Sequence, residues 1–299
     1  MKHSDSALNI KGFFDPVTHT ISYVVADDVQ KECVVIDSVL DYEPQSATVT
    51  HTRADELIAY IRARGYVLTW ILETHVHADH VSAGAYLKSA LGGRTAIGAG
   101  IGIVQNFFGE VFGEGDDFAR DGSQFDTTWH DGDTFTVGTY TATVLHVPGH
   151  TPADVAYLMG DALFVGDTLF MPDYGSARCD FPGGSADDLY SSVRKLYQLP
   201  NETRIFLCHD YLPEGREAYL WETTVGEERL KNVHLNDAVI RDDFVRMRTT
   251  RDATLGMPAL IIPALQVNMR AGIFPQDDTG RAFLKIPVNS VFSRKATKG

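Results

Sequence analysis

Three histidines and an aspartate fall within seven residues, Thr74-His75-Val76-His77-Ala78-Asp79-His80. Neutral imidazole and carboxylate are the ligand set of zinc, iron and manganese. The apolar run 67–72 that precedes them reads as a buried strand ending at Glu73. Val81-Ser82-Ala83-Gly84-Ala85-Tyr86-Leu87, which follows, reads as the start of a helix. The four groups therefore belong on a short loop at a strand end. In extended backbone His75 and His77 point the same way, and Asp79 and His80 come round as the chain turns into the helix. The bland alternative is a polar loop with scattered histidines. Such density at a strand end is hard to explain without a metal.

More potential ligands follow. His150 lies in Val147-Pro148-Gly149-His150-Thr151, Asp167 in Phe164-Val165-Gly166-Asp167-Thr168, and His209 in Leu207-Cys208-His209-Asp210-Tyr211. Each comes after an apolar run, so each ligand again sits at a strand end. In this order the motifs resemble the metallo-β-lactamase superfamily over residues 1–235, with 236–299 as a C-terminal helical extension on the same domain. The resemblance implies a mixed α/β (α+β) fold, an αββα sandwich. It also implies two sets of ligands. His75, His77 and His150 would serve one cation; Asp79, His80 and His209 would serve a second, with Asp167 bridging.

Dinuclear hydrolases of the superfamily use both sets. The glutathione persulfide dioxygenases keep the same residues yet bind one iron, through the first His of the motif, the Pro-Gly-His histidine and the bridging Asp. Carried over, these are His75, His150 and Asp167, with Fe(II) at one per chain and zinc as an alternative occupant. Two imidazoles and one carboxylate are the facial triad of non-haem Fe(II) oxygenases, which leaves positions open for substrate and O₂. His77, Asp79, His80 and His209 would then orient the ligands.

The ligands cannot separate the two subgroups, so other segments must. Arg178-Cys179-Asp180-Phe181 resembles the dioxygenases' Cys-Gly-Arg-Thr-Asp-Phe, Val225-Gly226-Glu227-Glu228-Arg229 their Val-Glu-Glu-Glu-Arg, and Asn268-Met269-Arg270-Ala271-Gly272 their Asn-Met-Arg-Cys-Gly. Departures are Cys179 where the relatives have Thr, His234 where they have an Arg near the glutathione site, and a longer stretch from 236 to 263. The expected reaction joins glutathione persulfide, O₂ and water to give sulfite and glutathione. The competing expectation is a dinuclear thioesterase of glyoxalase II type, in which a metal-bound hydroxide attacks a thioester. A non-enzymatic module that keeps metal for folding is a third. Tyr211 matches a family tyrosine that contacts glutathione. Arg178 suits a carboxylate, against the alternative of a salt bridge to Asp180 or Asp173. Arg246 and Arg248 read as a solvated helical face, with Arg248 and Lys231 as reserve cations.

The 299 residues, 44% hydrophobic and 22% charged, suit a globular protein with a substantial core. A net charge of −14 argues against nucleic-acid binding. No apolar run spans a bilayer, and the N-terminal residues lack the apolar stretch of a signal peptide. Cys33, Cys179 and Cys208 are odd in number and far apart, which points to a reducing, cytoplasmic setting. The expected assembly is a homodimer.

The elements that must position the site follow from patterning. Residues 20–26 and 32–39 read as a hairpin across Asp27-Asp28, with Asp37 orienting the metal loop, as the resemblance implies. Residues 46–51 read as a loop, and 56–64 as a helix capped by Thr52 or Asp55 and stopped by Gly65. Strands are expected over 94–98, 134–137, 140–146, 155–159, 162–165 and 204–208. Helices are expected over 101–112, 185–196 (Ser185 as N-cap), 222–232 and 236–251 (Asn236 as N-cap). Phe107-Phe108 reads as core rather than a substrate entrance. Beyond Met257 three prolines suggest an irregular extension that wraps the domain.

Overall fold

In a computed structural model, residues 8–290 are described. Two six-stranded sheets lie face to face. The first has the order β1 (Asn9–Asp15), β2 (Thr20–Asp27), β3 (Glu32–Ile36), β6 (Val67–Leu72), β8 (Arg94–Gly98), β9 (Thr127–Trp129). The second runs β10 (Thr134–Val137), β11 (Tyr140–His146), β12 (Val155–Met159), β13 (Ala162–Phe164), β14 (Arg204–Phe206), β15 (Glu222–Thr224). A small third sheet joins β5 (Thr48–Thr50), β4 (Val39–Glu43) and β7 (Val81–Ser82). Helices α1 (Thr52–Arg64) and α2 (Gly84–Leu91) pack on the first sheet. Helix α4 (Ala186–Leu196) packs on the second. This is the αββα sandwich.

The period of two explains why both sheets are covered. On β2, Ile21, Tyr23 and Val25 face the second sheet, while Val24 and Ala26 face α1. On β3, Val34 and Ile36 look inward and Cys33 and Val35 outward. Two buried tyrosines tie the layers at the end that carries the ligands. Tyr23 donates to Leu207 O at 2.6 Å, and Tyr157 donates to Glu73 O at 2.8 Å.

Several expectations need correction. The chain leaves the metal loop through β7 before α2 begins, because β4 offers an edge that Val81 and Ser82 pair with. Residues 48–50 are likewise a strand on β4, and β1 and β9 are further strands at the outer edges of the first sheet. The strand expected over 32–39 breaks at Asp37, whose φ is 50°. Helix α1 starts at Thr52 with His51 as an N-cap that makes no side-chain bond; Gly65 does end it, in the left-handed region. The helix expected over 222–232 divides into β15 and α5 (Val225–Lys231), and Thr224 accepts from the Glu227 N–H as the true cap.

Asn236 is not an N-cap. Its Oδ1 accepts from the Ala238 N–H in a turn, and α6 (Arg241–Asp252) begins five residues later. The C-terminal extension is not irregular either. It contains α7 (Ile261–Asn268), where Pro263 sits in the first turn, a place that needs no amide proton. Phe108, fully buried on α3 (Ile101–Val111), is core; Phe107 is 37% exposed.

Glu228 anchors the loop that borders the site. Its Oε2 accepts from Asn232 Nδ2 at 2.6 Å, and the same amide group donates to Gly175 O at 3.0 Å. Burial pushes the carboxyl up from 4.5 to about 8. The folded protein therefore holds a proton that the unfolded chain releases. The resulting stabilisation is full below the unfolded value and fades as pH rises toward the folded one. Glu228→Gln is expected to remove this slope, so that its advantage in thermal unfolding grows between pH 5 and pH 8, to roughly a few kcal/mol. Parallel melting curves for the two proteins would exclude a protonated Glu228.

Candidate metal centre

The candidate ligands come from the ends of strands in both sheets. His75, His77, Asp79 and His80 follow β6; His150 follows β11, Asp167 follows β13 and His209 follows β14. Gly166 lets Asp167 approach, since its φ is +54° and an added Cβ would strike the Thr74 side chain.

Each imidazole is fixed by one nitrogen and left free at the other. The Thr74 hydroxyl donates to Asp37 at 2.8 Å, so it accepts from His75 Nδ1 at 3.0 Å. His150 Nδ1 donates to Arg178 O at 2.7 Å, and His209 Nδ1 to His19 O at 3.1 Å. His77 Nε2 donates to Asp37 at 2.9 Å, with Glu73 3.4 Å away. His80 Nδ1 lies 3.3 Å from the Thr20 hydroxyl. These tautomers follow from the network.

The remaining atoms are His75 Nε2, His77 Nδ1, His80 Nε2, His209 Nε2 and Asp167 Oδ1, all buried without a hydrogen-bond partner. Four of these, His75 Nε2, His80 Nε2, His209 Nε2 and Asp167 Oδ1, are acceptors, and orphaned acceptors in such number are costly unless a cation takes them up. His75, His150 and Asp167 bring their ligand atoms within 4.8 Å of one another. Three further groups meet the same measure, Asp37–His77–Cys208, His77–Asp79–His80 and Asp167–Cys208–His209. Asp79 Oδ2 lies 3.3 Å from His209 Nε2, and Asp167 Oδ1 3.4 Å from the same nitrogen. The donor set fits a metal ion.

Burial first, then the neighbouring His77 and His150, hold His75 well below the usual histidine range. A neutral imidazole is the form that ligates. For His77 burial opposes the charge, but the Asp37 carboxylate and the bond to it outweigh burial and push His77 well above that range.

The metal loop is held from behind by two groups. Asp37 accepts from the Thr74 N–H at 2.7 Å besides the two bonds above. Asn268, at the end of α7, donates through Nδ2 to His77 O and His80 O, both at 2.8 Å, and accepts from the Ser82 N–H at 2.8 Å. Sequence patterning gave Asn268 a place in a motif but no task. Glu73, just past the end of β6, accepts from the Ser82 hydroxyl at 2.5 Å.

A cleft of about 380 Å³ opens over His150, Asp79 and Asp167. One wall is aromatic. Tyr211 stacks on His209 at 5.5 Å and lies 5.1 Å from Tyr174, ring centre to ring centre. Arg216 fixes this wall by pairing with both Asp210 and Asp173, the residues before the two tyrosines. Arg178 lines the cleft, but its guanidinium is bound to Asp180 at 2.6 and 2.9 Å. That is the salt bridge weighed against a substrate role. Arg248 is buried, not solvated, and Lys231 pairs with Glu227. No helix among the described residues is long and apolar enough to cross a membrane.

A model of the metallo-beta-lactamase superfamily matches residues 16–209. A probable metallo-hydrolase of Burkholderia pseudomallei is 52% identical over 295 residues, covering 95% of this chain and 100% of that one. Glyoxylase B2 of Dictyostelium discoideum is 46% identical over 269 residues, 89% of this chain and 92% of that one. The human mitochondrial persulfide dioxygenase ETHE1 is 30% identical over 273 residues, 90% and 91% of the two chains. Among solved structures, ETHE1 from Myxococcus xanthus superposes with a TM-score of 0.70 at 28% identity, over 89% of this chain and 100% of that one. With its sandwich, its strand-end ligands and these matches, the chain belongs to the metallo-beta-lactamase superfamily.

Proposed function

We propose that this protein is a cytoplasmic persulfide dioxygenase that takes glutathione persulfide, O₂ and water to sulfite and glutathione, with release of protons. His75, His150 and Asp167 would hold one Fe(II). When bound, the iron supplies the redox chemistry at oxygen. The observation that carries the reading is the grouping of ligand atoms. His75, His150 and Asp167 converge as one set, whereas Asp79 and His80 group with His77, and His209 groups with Asp167 and Cys208. The Myxococcus ETHE1 structure, which the chain covers completely, supports the same reading.

The chain's own residues bind and orient. Arg178 O fixes the His150 ring, and Thr74 fixes His75. Tyr211 and Tyr174 form an apolar wall that keeps water from one side of the cleft. Holding the persulfide sulfur in the 380 Å³ cleft makes its encounter with O₂ effectively intramolecular.

The presence of Asp79, His80 and His209, and the name of the Dictyostelium relative, favour a second reading, a dinuclear thioesterase. The two separate in one experiment. Iron-loaded protein is given glutathione persulfide with an oxygen electrode, and S-lactoylglutathione in a parallel hydrolysis assay. O₂ uptake matched by sulfite supports the dioxygenase. Thioester hydrolysis without O₂ uptake replaces it with the hydrolase.

A further inference from the structure

Three arginines border the cleft over His150 and Asp167: Arg178, Arg248 and Arg251. In a chain of net charge −14, cations gathered at one acidic and imidazole-lined opening need an account. Two of them have one. Arg178 forks onto Asp180 and donates through Nη1 to Gly256 O at 2.6 Å. Arg248 is only 2% exposed; it donates to Asp252 at 2.9 and 2.6 Å and to Ser176 O at 3.1 Å. Both are structural braces.

Arg251 is different. It stands on α6 one turn after Arg248, with its side chain exposed. Among the described residues it is the one arginine of the three whose guanidinium has neither a carboxylate nor a carbonyl partner. The helix that carries it is anchored. Phe244 is fully buried, and Asp252 is held by both Arg248 and the Cys179 N–H, at 2.8 Å from the latter. The following residues, Leu255 to Ala259, complete the same wall. A cation is thus presented to the cleft on a fixed support, with its fork unspent.

We infer that Arg251 recognises a carboxylate of the thiol that carries the persulfide, and so sets the preference for an acidic, peptide-like carrier over a small neutral one. This rests on the persulfide reading of the site. A guanidinium meets a carboxylate with two parallel N–H···O bonds, which a lone ammonium or a neutral imidazole does not. No competing cation comes from the neighbouring wall. Burial, then the charges of Arg248 and Arg251, push His234 down to about 4, and it accepts from the Ser176 N–H at 3.1 Å.

The test uses the full-length, iron-loaded protein with Arg251→Ala and Arg251→Lys. Turnover of glutathione persulfide is compared with that of 2-hydroxyethyl persulfide, which has no carboxylate. Arg251→Ala is expected to raise KM for glutathione persulfide about tenfold with kcat nearly unchanged, the pattern of a contact made equally in ground and transition state. Arg251→Lys should recover part of this loss, and KM for the neutral persulfide should not move. Binding of unreactive S-methylglutathione, followed by calorimetry, should weaken by a similar factor. If the protein oxidises no persulfide but S-methylglutathione still depends on Arg251, the carboxylate site stands and the dioxygenase reading falls. If glutathione persulfide is oxidised with the same KM by the unmutated protein and Arg251→Ala, the inference is overturned and the dioxygenase reading stands.

Discussion

His75→Ala is expected to leave a folded protein that retains no iron and turns over no persulfide, whereas His77→Ala should lose about 10–100-fold in metal affinity or rate. The two histidines sit two residues apart, and their chemistry differs. His75 is held neutral by burial, and its Nε2 has no partner but the cation site. It converges with His150 and Asp167. His77 is committed through Nε2 to Asp37 and lies beside Glu73, so its ring is fixed by carboxylates behind the loop. In the proposed centre, removing His75 deletes a ligand of a three-residue set. Removing His77 loosens the loop that carries that ligand. Metal analysis after gel filtration and O₂ uptake measure both effects. If His77→Ala strips iron as fully as His75→Ala, His77 is itself a ligand and the three-residue set is wrong.

Asp37→Ala is expected to destabilise the protein by about 3–5 kcal/mol, as for one partner removed from a buried charged pair. Asp37 is buried and accepts from the Thr74 N–H, the Thr74 hydroxyl and His77 Nε2. Alanine would leave these donors dry and unsatisfied. It would also leave Glu73 as the nearest counter-charge of His77. The backbone adds to the loss, because φ at residue 37 is 50°, a region that Asp and Asn tolerate better than Ala. Asp37→Asn keeps one acceptor and the turn, so its loss should be smaller. Urea unfolding of the two variants gives the comparison. A loss below about 1 kcal/mol for Asp37→Ala would mean that the loop is held by Asn268 alone.

The parts of the site that patterning reveals are those that end an apolar run. His75, His150, Asp167 and His209 each follow a strand of the central sheets, and such a strand advertises itself as an apolar run or as apolar and polar residues in alternation. The sandwich is legible for the same reason. The short strand β5 is not: Thr48 and Thr50 are exposed, and only pairing with β4 defines it. The start of α6 misleads because Asn236 bonds locally to Ala238, a use of the side chain as common in turns as in caps. α7 hides because Pro263 is read as a breaker, although a first-turn proline costs a helix nothing. The tasks of Asn268 and Arg251 could not be read at all. Asn268 reaches His77 O across 191 residues of sequence, and Arg251 is singled out only by what its neighbours already hold.

The most direct measurement is the metal content of active protein. Protein purified without added metal is assayed for iron and zinc per chain by mass spectrometry, alongside its O₂-consuming turnover of glutathione persulfide. One iron per chain, with turnover proportional to iron, is the expected result for a centre made of His75, His150 and Asp167. Two tightly held metals per chain in the active form, with turnover lost when either is removed, would contradict it.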